Sequence, residues 1–137
     1  MEHRVFGATL PALEVQLQAG ETVIADSGEL SWMTDSTAMS GGGGKGLFGT
    51  LKRSIGGMLF LTEYHANGAP GAVTFATKMP GAIIPVSVRP GQGYLVHRHG
   101  FLAGTPGIKV GSGFQRSLGA GIFGGNGFIM QIIHSDT

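Results

Sequence analysis

The sequence predicts an all-β fold: a β-sandwich or double-stranded β-helix-like arrangement with an internal repeat and one short amphipathic helix. Three observations lead there. Short runs of alternating apolar and polar residues are separated by turn residues at regular spacing, the pattern of sandwiches and barrels. The 26 Gly and 6 Pro among 137 residues suit a chain built from turns. The chain also nearly repeats itself: Val15-Gln16-Leu17-Gln18-Ala19-Gly20-Glu21 lines up with Val86-Ser87-Val88-Arg89-Pro90-Gly91-Gln92, and Gly56–Leu61 with Gly125–Met130. A repeat constrains architecture before any local reading. It divides one domain, residues 1–137, into similar halves at about 1–68 and 69–137.

Taken in order, Leu13, Val15 and Leu17 alternate with Glu14, Gln16 and Gln18, the mark of a half-buried strand. Ala19-Gly20-Glu21 turns it, and Thr22 to Ala25 is the return strand. After Asp26-Ser27-Gly28, Leu30 to Met33 continues as strand, with Trp32 as a core anchor. Ser36 to Met39 alternates weakly. Gly41 to Gly44 brings no side chains to pack and reads as a hinge or mobile loop. Behind it the period changes. Leu47, Phe48, Leu51, Ile55, Met58 and Leu59 share one helical face, and Lys52 and Arg53 lie off it. A short helix over part of Leu47–Ile55 follows, stopped by Gly56-Gly57.

Met58 to His65 is an apolar strand, Asn67–Gly71 a turn, and Ala72 to Thr77 a strand. Ala82 to Val88 is a strand, with Pro85 placing it at an edge or a bulge. Tyr94 to His99, Ile108 to Gly111 and Phe128 to His134 complete the set.

Composition narrows function. Charged residues make up only 12% of the chain, about half the usual share, so little of the surface is strongly solvated and subunit contacts would suit it. Net charge is +1, which predicts no general attraction to nucleic acid or anionic lipid. The chain has no Cys, hence no disulfide framework, thiolate chemistry or Cys-based zinc site. No signal peptide or spanning apolar stretch is read, and the expected location is cytoplasmic.

Candidate chemistry is sparse. His97 and His99 would share a strand face and could hold a metal, but no carboxylate lies near them in sequence and Arg98 adds repulsion. A solvated strand face is the preferred reading. His65 and His134 fall at matching places in the two halves, which duplication alone explains. Gly41–Gly46 suggests a phosphate loop, yet Gly46 follows Lys45 where a metal-holding hydroxyl is required. Gly119–Gly127 precedes a strand, the wrong context for a dinucleotide fingerprint. Gly111-Ser112-Gly113 lacks the spacing of a nucleophile elbow, and the eight acidic residues are scattered. No catalytic, cofactor-binding or metal residue is assigned.

Several motifs hold their order along the chain: Gly20–Val23, a Lys-Arg helix behind a glycine run, Leu59–Thr62, Pro80-Gly81, Phe101–Ala103 and Gly121–Gly127. Together they resemble the altered-inheritance-of-mitochondria family, widespread in bacteria and archaea. The resemblance implies a fold similar to the trp RNA-binding attenuation protein, a tendency to oligomerise and no established catalytic residues. Fungal members are implied in organising the mitochondrial inner membrane. It also implies that members usually carry a further β segment after the position of His134. Without that segment, an apolar edge is left for a neighbour to cover.

The expected function is a non-enzymatic, oligomeric structural or adaptor protein without cofactor. One alternative is a peripheral membrane module that docks residues 45–60 on an anionic surface or a partner groove through Leu47, Phe48, Leu51, Lys52 and Arg53. Core packing of that face is the preferred reading. Another alternative is a small-ligand-binding β fold. RNA binding is not expected, because the nine Lys and Arg do not cluster.

Overall fold

Alternating residues form strands only where another strand meets them, and here every pairing is antiparallel. The computed structural model describes residues 1–41, 61–97, 99–115 and 128–135. Among these the regular elements are strands: β1 (Glu2–Phe6), β2 (Ala12–Leu17), β3 (Thr22–Asp26), β4 (Leu30–Met33), β5 (Thr37–Gly41), β6 (Leu61–Ala66), β7 (Gly71–Ala76), β8 (Gly93–His97), β9 (Ala103–Gly104), β10 (Ile108–Gln115) and β11 (Phe128–Ser135). They form three sheets, ordered β1-β2-β7-β4, β5-β6-β3-β9 and β10-β11-β8.

The first two sheets meet over the main core. Leu13, Val15 and Leu17 of β2 face inward as their alternation requires, beside Val73 and Phe75 of β7. Val23 and Ala25 of β3 and Tyr64 and Ala66 of β6 complete the cluster. The Tyr64 and Phe75 rings meet edge to face, centroids 5.2 Å apart. Burial pushes the Tyr64 hydroxyl above its ordinary pKa. The other face of the second sheet packs on the third, where Ile24 joins Phe101 and Val110. β3 is therefore buried on both faces, which explains its unbroken run Val23-Ile24-Ala25. Gly20 turns the chain from the first sheet into the second at φ +88°, where its N–H donates to the Ala66 carbonyl.

Several expectations are corrected. The pairing pattern is three antiparallel sheets and not a double-stranded β-helix. The expected repeat does not extend over the whole chain: Ala12–Leu17 is a strand, whereas its counterpart around Val86-Ser87-Val88 has no regular structure. The first sheet also draws β1, β2 and β4 from before residue 68 and β7 from after it. Trp32 is not a core anchor. It sits on edge strand β4, just after a register shift between Leu30 and Trp32, and is 45% exposed. Leu30 and Met33 face the core in its place. β8 ends at His97, short of the strand expected to His99. β1 and β9 were not anticipated. The helix expected within Leu47–Ile55, with Leu47, Phe48, Leu51, Lys52 and Arg53, lies outside the described residues, as do residues 42–44 of the glycine run.

Candidate functional site

A cleft of about 1430 Å³ opens between the exposed end of the first sheet and the third sheet. His3 and Val5 of β1 and Leu13 and Val15 of β2 contribute one wall, Tyr94 and Val96 of β8 another. The stretch from Thr77 to Val88 borders it as well. Its start is held by Thr77, whose N–H and hydroxyl donate to the Pro11 carbonyl at 3.2 and 3.0 Å. Gly81 N–H donates to the Thr9 carbonyl at 3.2 Å, Ile83 packs on the main core, and the Tyr94 hydroxyl donates to the Ser87 carbonyl at 3.4 Å.

Between those anchors the apolar side chains face solvent. Ile84 is 74% exposed and Val86 55%. Met1, Val5 and Met79, also exposed, line the same cleft, so half of the large apolar side chains exposed among the described residues border it. Among the residues lining it, Asp26, Glu29, Lys78 and His99 form a group of charges that act on one another. Glu29 and Lys78 form an ion pair at 3.5 Å. Burial pushes the Asp26 carboxyl above its usual range and Glu29 adds to the push, against the pull of His99 and Lys78.

The two histidines weighed as metal ligands part company. His97 closes β8, while His99 lies beyond it and lines the cleft. Their ring centroids are 5.9 Å apart, and the His99 N–H donates to His97 Nδ1 at 3.4 Å. Among the described residues no three His, Asp or Glu side chains are grouped to hold a metal ion. His65 and His134 occupy matching register positions, opposite Thr22 and Gly93. The Thr22 hydroxyl bonds His65 Nδ1 at 2.8 Å, a contact Gly93 cannot make. No described helix is long and apolar enough to cross a membrane.

The cleft was not visible in the sequence. Its walls come from positions far apart in the chain, and no local pattern links His3, Lys78, Tyr94 and His99. One signal was present: Ile83-Ile84-Pro85-Val86 is an apolar run interrupted by a proline that cannot sit inside a sheet.

Residues 3–136 match the model of the family described as Mitochondrial biogenesis AIM24. No curated protein matches the chain. Among solved structures, it is similar to the X-ray crystal structure of a protein from Streptococcus pyogenes, with 22% identity and a TM-score of 0.71 over 98% of this chain. The chain spans 61% of that protein's length. At this identity the likeness speaks for the fold.

Proposed function

We propose that this chain, which belongs to the Mitochondrial biogenesis AIM24 family, works as a non-enzymatic structural or adaptor protein that assembles with copies of itself. The observation that carries the reading is the gathering of exposed apolar side chains, Ile84 and Val86 above all, beside the cleft. Water-exposed surface of that kind is normally covered by a protein partner. A charged fraction of 12% supports the same reading, since few charges would have to be desolvated on contact.

A small ligand is the weaker reading. The cleft, at about 1430 Å³, exceeds the range of roughly 300–1,000 Å³ typical of small-molecule sites. The membrane alternative rests on residues 45–60, outside the described part of the chain.

We infer also that the second and third sheets derive from one duplicated unit. Three strands of the second sheet run β5-β6-β3, with β9 beyond, as the third sheet runs β10-β11-β8. Thr37 pairs with Ala66 as Ile108 pairs with Ser135, and Thr22 with His65 as Gly93 with His134.

Sedimentation velocity across a concentration series tests the main reading. An oligomer at micromolar concentration is the expected result; a monomer throughout would overturn it. Flotation with anionic vesicles, scored on the same preparation, would replace it with the membrane reading if the monomer binds.

A further inference from the structure

We propose that the outward face of the first sheet binds an uncharged oligosaccharide, laid across the strands between the rings of Trp32 and Phe6. The proposal is independent of the assembly reading, because neither ring lines the cleft on which that reading rests.

Register fixes which side chains share this face. Leu13, Val15 and Leu17 of β2 point into the core, so Glu14 and Gln16 point away from it. Residues directly opposite in a pair have side chains on one side of the sheet. Arg4 on β1 pairs with Glu14, Glu14 with Thr74 on β7, and Thr74 with Trp32 on β4. These four form one row across the whole sheet. Phe6, two residues beyond Arg4, joins the same face at its far edge. Trp32 and Phe6 are 45% and 42% exposed. Strands about 4.8 Å apart and a rise of about 3.4 Å per residue set their Cα atoms roughly 16 Å apart.

Between the rings, the polar side chains hold one another in place. Gln16 Nε2 donates to Glu14 Oε1 at 2.8 Å, and the Arg4 guanidinium donates to Glu14 Oε2 at 3.3 Å. That guanidinium also lies over the Phe6 ring, 5.4 Å from its centroid. Planar groups fixed in this way have less freedom left to lose on binding. Gln16 still has an amide oxygen and a second N–H to offer a ligand, and Arg4 further N–H groups. In the same row the Thr74 hydroxyl, 1% exposed, has no partner among the described residues, so the row is one hydrogen bond short.

This chemistry selects a sugar. A pyranose presents a face of C–H bonds, whose partial positive charge suits the negative face of an aromatic ring. Its rim carries hydroxyls that both donate and accept, matching the adjacent donors and acceptors of Arg4, Glu14 and Gln16. Two rings set apart by a polar row call for a chain of sugars, since a single unit cannot reach both. Charge selects an uncharged chain. The charged residues on this face of the sheet are Glu2, Arg4 and Glu14, one positive against two negative. That balance disfavours nucleic acid and acidic glycans.

Trp32 is the only tryptophan in the chain, so its fluorescence reports on the site directly. The probes are hexasaccharides of β-1,4-linked glucose, mannose and N-acetylglucosamine, with the matching monosaccharides beside them. At least one hexasaccharide should shift the emission saturably at millimolar concentration or below, with an affinity that does not change from low to high salt. Its monosaccharide should not. By calorimetry, Trp32→Ala and Phe6→Ala should each weaken binding about tenfold. Gln16→Ala should weaken it several-fold, and Met79→Ala, exposed on the cleft, should leave it unchanged. Circular dichroism checks that each variant is folded, and the exposed Gln16 carries the test if a ring variant is not. No response to any of the three hexasaccharides overturns the proposal. So does binding that survives the ring and Gln16 variants, or that Met79→Ala abolishes. A response to single-stranded RNA that fades with salt, in place of one to sugar, would make this a nucleic-acid surface and overturn it too.

Discussion

Two threonines in the core carry a prediction of opposite sign. Thr74 on β7 and Thr62 on β6 are both buried, 1% and 7% exposed. The Thr62 hydroxyl bonds Ser27 Oγ at 2.8 Å. The Thr74 hydroxyl is buried and meets no partner among the described residues. Replacing Thr by Val keeps the shape and exchanges hydroxyl for methyl. At Thr74 this removes a buried unbonded hydroxyl, whose cost from mutational data is about 1–3 kcal/mol. Thr74→Val should therefore stabilise the protein by about 1–2 kcal/mol. At Thr62 the same change breaks the bond to Ser27 and the one to the buried Tyr64 hydroxyl, so Thr62→Val should destabilise by about 1 kcal/mol. With an unfolding entropy of about 2.1 cal/mol/K per residue, each kcal/mol moves Tm by about 3 °C for a chain of this length. Urea unfolding with unchanged m-values and calorimetric Tm would measure both. If Thr74→Val lowers stability, the hydroxyl has a bonding partner and the argument fails at its premise. Equal signs for the two variants would show that methyl packing, not hydrogen-bond satisfaction, decides these sites.

Gly71→Ala should destabilise by about 1–3 kcal/mol in urea unfolding, because a Cβ there would stand 2.5 Å from Thr37 Oγ1 and 2.9 Å from Thr34 Oγ1. Gly20→Ala meets nothing within 4 Å, so its loss of about 1–2 kcal/mol would be purely the backbone strain of positive φ; a neutral result would place the turn elsewhere. Asp26→Asn should raise stability at neutral pH. The folded carboxyl titrates above its ordinary 3.8, so the folded state holds its proton more tightly than the unfolded state. The charge penalty is absent below the unfolded pKa, grows through the window up to the raised folded value, and is complete above it. Thermal melts from acid to neutral pH should show the variant's advantage appear across that window; an advantage at low pH alone would reverse the sign.

The legible part of the fold was the part whose pattern and partners agree. Alternation at Leu13, Val15 and Leu17 reads as a strand and is one. The unbroken Val23-Ile24-Ala25 run reads as strand too, though only the packing shows that both its faces are covered. Trp32 misleads because size does not entail burial. An aromatic on an edge strand after a register shift has solvent on one side whatever its hydrophobicity. β9 escaped because two residues, Ala103 and Gly104, carry no periodicity; they form a strand only by meeting Ala25 and Ile24.

Ala82–Val88 is the instructive case, because its sequence supports a strand reading nearly as strong as that of β2. Val86-Ser87-Val88 alternates as Val15-Gln16-Leu17 does, and each is followed closely by a turn glycine, Gly91 and Gly20, both at positive φ. What β2 has, and this segment lacks among the described residues, is a paired strand on either edge. A β-strand's free energy is held in cross-strand pairs and in the face those pairs bury, each worth a few tenths to about 1 kcal/mol. An unpaired segment collects none of this, so similar local propensity leads to opposite outcomes. Strand propensity therefore becomes a strand only where a neighbour supplies those pairs, as β1 and β7 do for β2.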